Sequence, residues 1–305
     1  MIGRVVEIAT DGTHLAVDRG FMTVSRERER VGQVALDDIS ALVVHGHGAT
    51  FSANLVARLS ERGTPMVICG ANHASVSMLW PADGHHEQGM RMQAQADAPK
   101  PLGKRLWRDL VRAKVSVQAD VLDAVGERAG ALRDLAKSVR SGDPENIEAQ
   151  AARRYWPLMM GENFSRDRGA PGINAMLNYG YMVLRAATAR SIIAAGLHPS
   201  LSIHHQSRGT ALRLADDLME PFRPHVDIVV RRMDEAGAGD LDRDVKARLA
   251  AVTTLDLEGP KGASTLQTCI DRLALSLAQV YLGERDRLIF PGPALPLATA
   301  GGGLS

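Results

Sequence analysis

The 305-residue chain is 45% hydrophobic but only 4% aromatic, so aliphatic side chains must build its core. Its 36 basic and 35 acidic residues do not by themselves mark a nucleic-acid binder; a basic surface must come from uneven placement or from several copies acting together. Cys69 and Cys269 make neither a disulfide framework nor a zinc ribbon, and no stretch reaches the roughly 20 apolar residues of a membrane span. The opening Met-Ile-Gly-Arg-Val-Val-Glu-Ile lacks the apolar run of a signal peptide, so a cytoplasmic protein with reduced thiols is expected.

Residues 1–80 read as β. Short runs at 4–8, 14–17, 21–25 and 33–36 are separated by Asp-Gly, Arg-Gly and charged turns. The continuous apolar runs 41–44 and 65–69 have the character of buried strands, with helical spacing between them at 53–62 and a last strand at 74–80. This pattern predicts a small sheet or sandwich. Pro81-Ala-Asp-Gly-His-His marks a change of character. From about residue 87 the period is helical, with helices predicted over 104–125, 127–139, 144–160, 174–195, 210–232, 242–253 and 262–283. Asp143 as N-cap and Pro144 in the first turn signal the third of these, and Gly161, Gly196 and Gly283 are stop signals. The expected fold class is α+β: a β domain at 1–80, a linker and the start of the helical region at 81–100, a helical domain at 101–290, and a Pro-, Gly- and Ala-rich tail at 291–305 expected to be disordered.

The chemistry concentrates at 201–224. His204 and His205 follow a short apolar piece, and the chain then enters a helix in which Asp216, Asp217 and Glu220 lie three or four residues apart. Pro221 cannot donate to the carbonyl of Asp217 and biases Glu220 away from helical dihedrals. Adjacent residues in extended chain point to opposite sides, so only one histidine can face the acids. Two readings stand open for Glu220. It is a metal ligand in a broken helix turn, or it belongs to a solvated stripe with Arg213, Asp216, Asp217, Arg223 and Asp227 in which it pairs with Arg223. Glu148 is the other informative acid. Four, seven and eleven residues on stand Ala152, Tyr155 and Met159, an apolar face in line with it, and no basic residue stands at i+3 or i+4. Either it is buried and needs a partner or a metal, or it is exposed and favours the helix start through the macrodipole. His45-Gly-His47-Gly closes a strand without nearby acids and reads as a turn; Gly259-Pro-Lys261-Gly lacks the Ser or Thr and the spacing of a phosphate loop.

Three blocks in order carry a resemblance. They are Asn146-Ile-Glu148-Ala-Gln-Ala-Ala-Arg153-Arg-Tyr155-Trp156, then Asn174-Ala-Met-Leu-Asn178-Tyr179-Gly180-Tyr181, then His205 with Asp217-Leu-Met-Glu220-Pro-Phe-Arg223-Pro. Together they resemble the CRISPR-associated spacer-acquisition endonuclease/integrase family, and the wording of the last block looks most like its type II members. The resemblance implies that 1–80 dimerises the chain and that 101–290 is the catalytic domain. It carries the metal ligands onto Glu148, His205 and Glu220, with Asp217 supporting them and Mg²⁺ or Mn²⁺ as the ion. It also implies a homodimer, a small ferredoxin-like CRISPR-associated partner dimer, and two DNA substrates: spacer precursor with 3′ ends and CRISPR repeat DNA.

Under that resemblance the nucleophile is a DNA 3′-hydroxyl, so no Ser, Cys or Tyr nucleophile is needed, and Tyr155, Tyr179 and Tyr181 read first as packing. Arg153, Arg208, Arg213 and Arg223 lie near the motifs as candidate phosphate contacts. Two other classes stay open: a helical metal-dependent phosphohydrolase, and a non-catalytic DNA-binding scaffold.

Overall fold

A computed structural model describes residues 4–70, 75–82, 86–205, 211–259 and 262–292 of the chain. The N-terminal region runs β1 (Arg4–Ile8), β2 (His14–Asp18), β3 (Phe21–Arg26), β4 (Glu29–Ala35), β5 (Ile39–Val44), β6 (Thr50–Phe51), α1 (Ala53–Ser60), β7 (Met66–Cys69) and β8 (Ser75–Leu79). Then follow α2 (Gln88–Ala96), α3 (Lys100–Ala124), α4 (Gly130–Ser138), α5 (Ile147–Met160), α6 (Ile173–Ala194), α7 (Arg213–Leu218), α8 (Arg223–Glu235) and α9 (Arg243–Ala250). A hairpin of β9 (Asp256–Gly259) and β10 (Gly262–Thr265) precedes α10 (Leu266–Tyr281). The expected α+β architecture is present, with strands first and helices after.

Among the described residues the N-terminal strands form two four-stranded sheets. One has the order β1-β5-β7-β8, with β5 parallel to both β1 and β7; the other has the order β4-β3-β2-β6. Every residue of β5 is buried because both its faces are covered. From Ala41 onward the alternation of a strand divides them, and a register shift opposite Arg4 and Val5 puts Ile39 out of step with it. Ile39, Leu42 and Val44 join Leu15, Met22, Leu55 and Leu59 in a core between the sheets and α1. Ala41 and Val43, with Val5 and Val67, face the other way and belong to the main helical core.

α6 is the centre of that core. It is buried on every side, including Leu177, Val183, Leu184, Ala187 and Ile192, as a helix must be when neighbours surround it. It touches α7, α8, α9, α10 and β5. At Gly180 the approach of α8 is so close that a Cβ would lie 2.4 Å from Val226 Cγ1. Among the described residues no helix is long and apolar enough to cross a membrane.

Three expectations change. The helix expected from residue 144 begins at Ile147, because Asn146 takes a left-handed conformation at φ 53° and caps the helix itself. The helix expected over 210–232 is not continuous: Glu220–Phe222 forms a 3₁₀ turn between α7 and α8, where Pro221 and Pro224 remove donors. The start of the helix expected at 262 is instead strand β10, and Leu266 is the first helical residue. The glycines at 161, 196 and 283 do stand past helix ends with positive φ. Of the tail, residues 293–305 lie outside the described residues.

Candidate carboxylate and histidine site

The site is built on α3. Its core face presents Leu106, Leu110, Val111, Val115 and Val121, and Lys114 stands on the same face between Leu110 and the buried Gln118. The ammonium of Lys114 lies 2.6 Å from Glu148 Oε1 and 2.6 Å from Glu220 Oε2. Two acids far apart in sequence thus meet at one cation. Glu148 is held from behind: both oxygens of Asp143 accept backbone N–H groups, from Ile147 at 2.8 Å and from Glu148 itself at 3.0 Å. Glu220 opens the 3₁₀ turn, and its other oxygen lies 2.9 Å from Arg223 Nε. The Lys114–Glu148 contact is a directed hydrogen bond, whereas those to Glu220 are charge contacts of poorer angle.

The electrostatics agree from both sides. Burial depresses the Lys114 ammonium, but Glu220 and Glu148 outweigh it and hold its pKa above the ordinary value. Burial pushes Glu220 up, but Arg223 and Lys114 outweigh it and hold it below the ordinary carboxylate value. The exposed helix start for Glu148 is not what the chain forms; of the stripe reading for Glu220 the Glu220–Arg223 pair does form, but on a buried carboxylate, not a solvated one. Glu148 is ion-paired, and Asp217, Glu220 and Asp227 are all buried.

The two histidines do not face opposite sides: residues 201–205 bend, and both rings touch Trp107 and lie 5.8 Å from each other. His204 stacks flat on Trp107 with centroids 4.2 Å apart, and burial lowers its pKa. His205 turns to Asp217, with Nδ1 2.5 Å from Oδ1. Asp217 is 0% exposed and also accepts the backbone N–H groups of Ile203, His204 and His205 at 2.6, 3.0 and 3.2 Å. Its hydrogen bond outweighs burial and raises the imidazole above its ordinary pKa. With Nδ1–H donated to Asp217, the lone pair of neutral His205 is on Nε2, the arrangement metal-binding histidines adopt.

These residues fit a divalent cation in kind. Two carboxylates already share one positive charge, and an oriented imidazole stands on the neighbouring segment. Among the described residues, however, no three His, Cys, Asp or Glu side chains are gathered closely enough to hold an ion.

Behind the acids lies a second polar cluster. Tyr155 donates to Asp227 Oδ2 at 2.9 Å, and Tyr181 donates to Asp227 Oδ1. Arg223 covers the Tyr181 ring at 4.8 Å. Arg166 bonds Asn174 at 2.8 Å and Asn178 at 2.6 Å. Tyr179 donates to Glu7 of β1 at 2.5 Å. All three tyrosines, expected as packing, therefore also anchor acids. His45 corrects another expectation: Glu7 Oε1 lies 3.4 Å from its Nε2, so the turn does have an acid beside it, supplied by the neighbouring strand.

Of the candidate phosphate contacts, Arg153 is exposed, and Arg223 is committed to Glu220 and Tyr181. Arg213 lines a groove of about 780 Å³ with Lys100, Lys104 and His204. Arg208 lies outside the described residues. The residue that sequence reasoning missed is Lys114; its one signal is a charge at a helical position otherwise reserved for the core.

Residues 6–252 match the family model of CRISPR associated protein Cas1. The chain is 36% identical over 292 residues to the CRISPR-associated endonuclease Cas1 of Neisseria meningitidis serogroup C, spanning 94% of this chain and 95% of that one. Its fold is similar to a casposase bound to integration product, at TM-score 0.79 and 21% identity over 97% of this chain and 94% of that one. It is also similar to a Cas6-RT-Cas1–Cas2 complex, at TM-score 0.75 and 17% identity over 97% of this chain and 37% of that one.

Proposed function

This chain belongs to the CRISPR-associated Cas1 family, and we propose that it is a metal-dependent DNA endonuclease and integrase that inserts new spacer DNA into a CRISPR array. The observation that carries this reading is the convergence of Glu148 and Glu220 on one cation position, with His205 on a neighbouring segment oriented by Asp217. Glu148, Glu220 and His205 would hold Mg²⁺ or Mn²⁺, which supplies Lewis acidity at a phosphodiester.

The protein's own part is positioning. Arg223 fixes Glu220 from the side away from Lys114, and Asp143 fixes the backbone under Glu148. Asp217 sets the imidazole of His205 and pins its backbone at three N–H groups. The attacking group is the 3′-hydroxyl of the incoming DNA, and its partner is repeat DNA. The tyrosines nearest the acids are engaged with Asp227, which argues for direct attack rather than a covalent tyrosyl intermediate. The assembly is a homodimer joined through residues 1–80, bound to a small ferredoxin-like partner dimer; the solved Cas6-RT-Cas1–Cas2 complex of similar fold supports the existence of a CRISPR-associated partner.

The test is joining of a 3′-hydroxyl duplex to a plasmid carrying a CRISPR repeat, in Mn²⁺. Joined product is expected from the wild type and not from Glu148→Gln or Glu220→Gln. With one phosphorothioate diastereomer at the scissile position, the product should show inverted configuration. Full joining by Glu220→Gln would remove Glu220 from the mechanism, and retention at phosphorus would mean a covalent route.

A further inference from the structure

Lys114 is placed where a structural lysine is costly. It sits on the core face of a long helix, and its side chain is 13% exposed. A buried ammonium needs compensation, and it has two carboxylates at 2.6 Å each. The two oxygens it touches are therefore close together, and without a cation between them they would repel. Glu148, Glu220, Lys114 and Arg223 sum to zero charge, so the cluster is complete as it stands. Adding a dication to these four groups leaves them at a net charge of +2, which departure of the Lys114 ammonium lowers to +1. A flexible point charge can leave such a position, whereas the guanidinium of Arg223, stacked on Tyr181, is held.

We propose that Lys114 is the resident cation of this site: its ammonium occupies the position between Glu148 and Glu220 that a divalent ion takes, keeps the two carboxylates together until then, and competes with the ion for them. This rests on the metal reading of Glu148 and Glu220. Lys114 is thus a positioning residue that sets the affinity for metal. A purely structural lysine would stabilise the fold and leave metal affinity alone, or would support it.

The experiment measures Mn²⁺ binding to the full chain without DNA, by calorimetry and by thermal shift. Lys114→Met keeps the length of the stem and removes the charge. It is expected to melt lower than the wild type without metal, and to bind Mn²⁺ at least about tenfold more tightly, because a nearby positive charge is gone. Lys114→Arg keeps the charge and should show no such gain. The wild type gives a readout that needs no variant to fold. Amine-reactive labelling of Lys114, followed by peptide mass spectrometry, should be slow without metal and rise at saturating Mn²⁺. Equal or weaker Mn²⁺ binding by Lys114→Met overturns the proposal, as does labelling that saturating Mn²⁺ leaves unchanged. The double variant Glu148→Gln with Glu220→Gln separates the two ideas. If it binds Mn²⁺ as the wild type does, the ion lies elsewhere and the metal reading itself falls; if it does not bind, the comparison at Lys114 decides.

Discussion

Asp217 and His205 form one unit: a single buried carboxylate accepts the ring N–H of the histidine and also that residue's own backbone N–H. The acid that the last sequence block places beside Glu220 therefore acts on the opposite segment of the chain. Asp217→Ala would leave three backbone N–H groups without an acceptor in a buried place. At about 1–3 kcal/mol each, the loss should be about 3 kcal/mol or more by denaturant titration. Asp217→Asn keeps the shape but loses the charge, and should weaken Mn²⁺ binding about 10- to 100-fold. Unchanged metal affinity in Asp217→Asn would show that His205 needs no orienting partner.

Glu220 and Glu148 should differ in what they contribute to folding. Glu220 is the more buried and faces two cations; Glu148 faces one. Removing one partner of a buried ion pair costs about 3–5 kcal/mol, so Glu220→Ala should approach that range. Glu148→Ala leaves Lys114 with Glu220 and should cost about 1–2 kcal/mol. Chemical denaturation of both variants without metal tests the order; a larger loss for Glu148→Ala would contradict the geometry.

Asp227 gives a pH signature. Burial raises it from 3.8 to about 6, against the hydrogen bonds from Tyr181 and Tyr155. The folded state thus holds a proton that the unfolded chain releases between those values. Its contribution favours folding fully below pH 3.8 and is lost as pH rises through about 6, a change of about 3 kcal/mol. Asp227→Asn removes this dependence. Between pH 4 and 7 the stability of the wild type relative to Asp227→Asn should fall by about that amount. His225, depressed by burial to about 4, works in the opposite direction but is common to both proteins and cancels. A pH-independent difference would mean that Asp227 is ionised throughout.

Gly180→Ala tests the α6–α8 crossing. Its Cβ would meet Val226 Cγ1 at 2.4 Å, and such overpacking costs about 1–3 kcal/mol. Val226→Ala in the same chain should restore part of the loss. If Gly180→Ala melts like the wild type, the helices have room that the structure does not give them.

Most of the fold was legible because it follows local patterns. The continuous apolar run at 41–44 predicted a buried strand, and β5 is buried on both faces. The apolar face behind Glu148 predicted α5, and the proline after Glu220 marked the turn that breaks the helix expected over 210–232, although the periodicity alone ran through it. What escaped depends on distance or on special backbone. Lys114 reaches its acids across the fold, which no spacing rule describes. Asn146 shortened a helix by taking a conformation that residue type only permits. The hairpin β9–β10 is short and ends in Gly-Ala-Ser-Thr, too weak a pattern to compete with the helix after it.

The double burial of β5 has a mechanical meaning. One strand is the common wall of two rooms: Leu42 and Val44 furnish one, Ala41 and Val43 the other, and no position along it is free to vary without being felt in one core or the other. Next to that wall, Glu7 of β1 is fastened to Tyr179 of α6, the same helix from which Asn174, Asn178 and Tyr181 extend toward Arg166 and Asp227. A partner that grips the sheet of β2, β3, β4 and β6 would therefore be leaning, through two layers of side chains with β5 and β1 between them, on the helix that frames the acids.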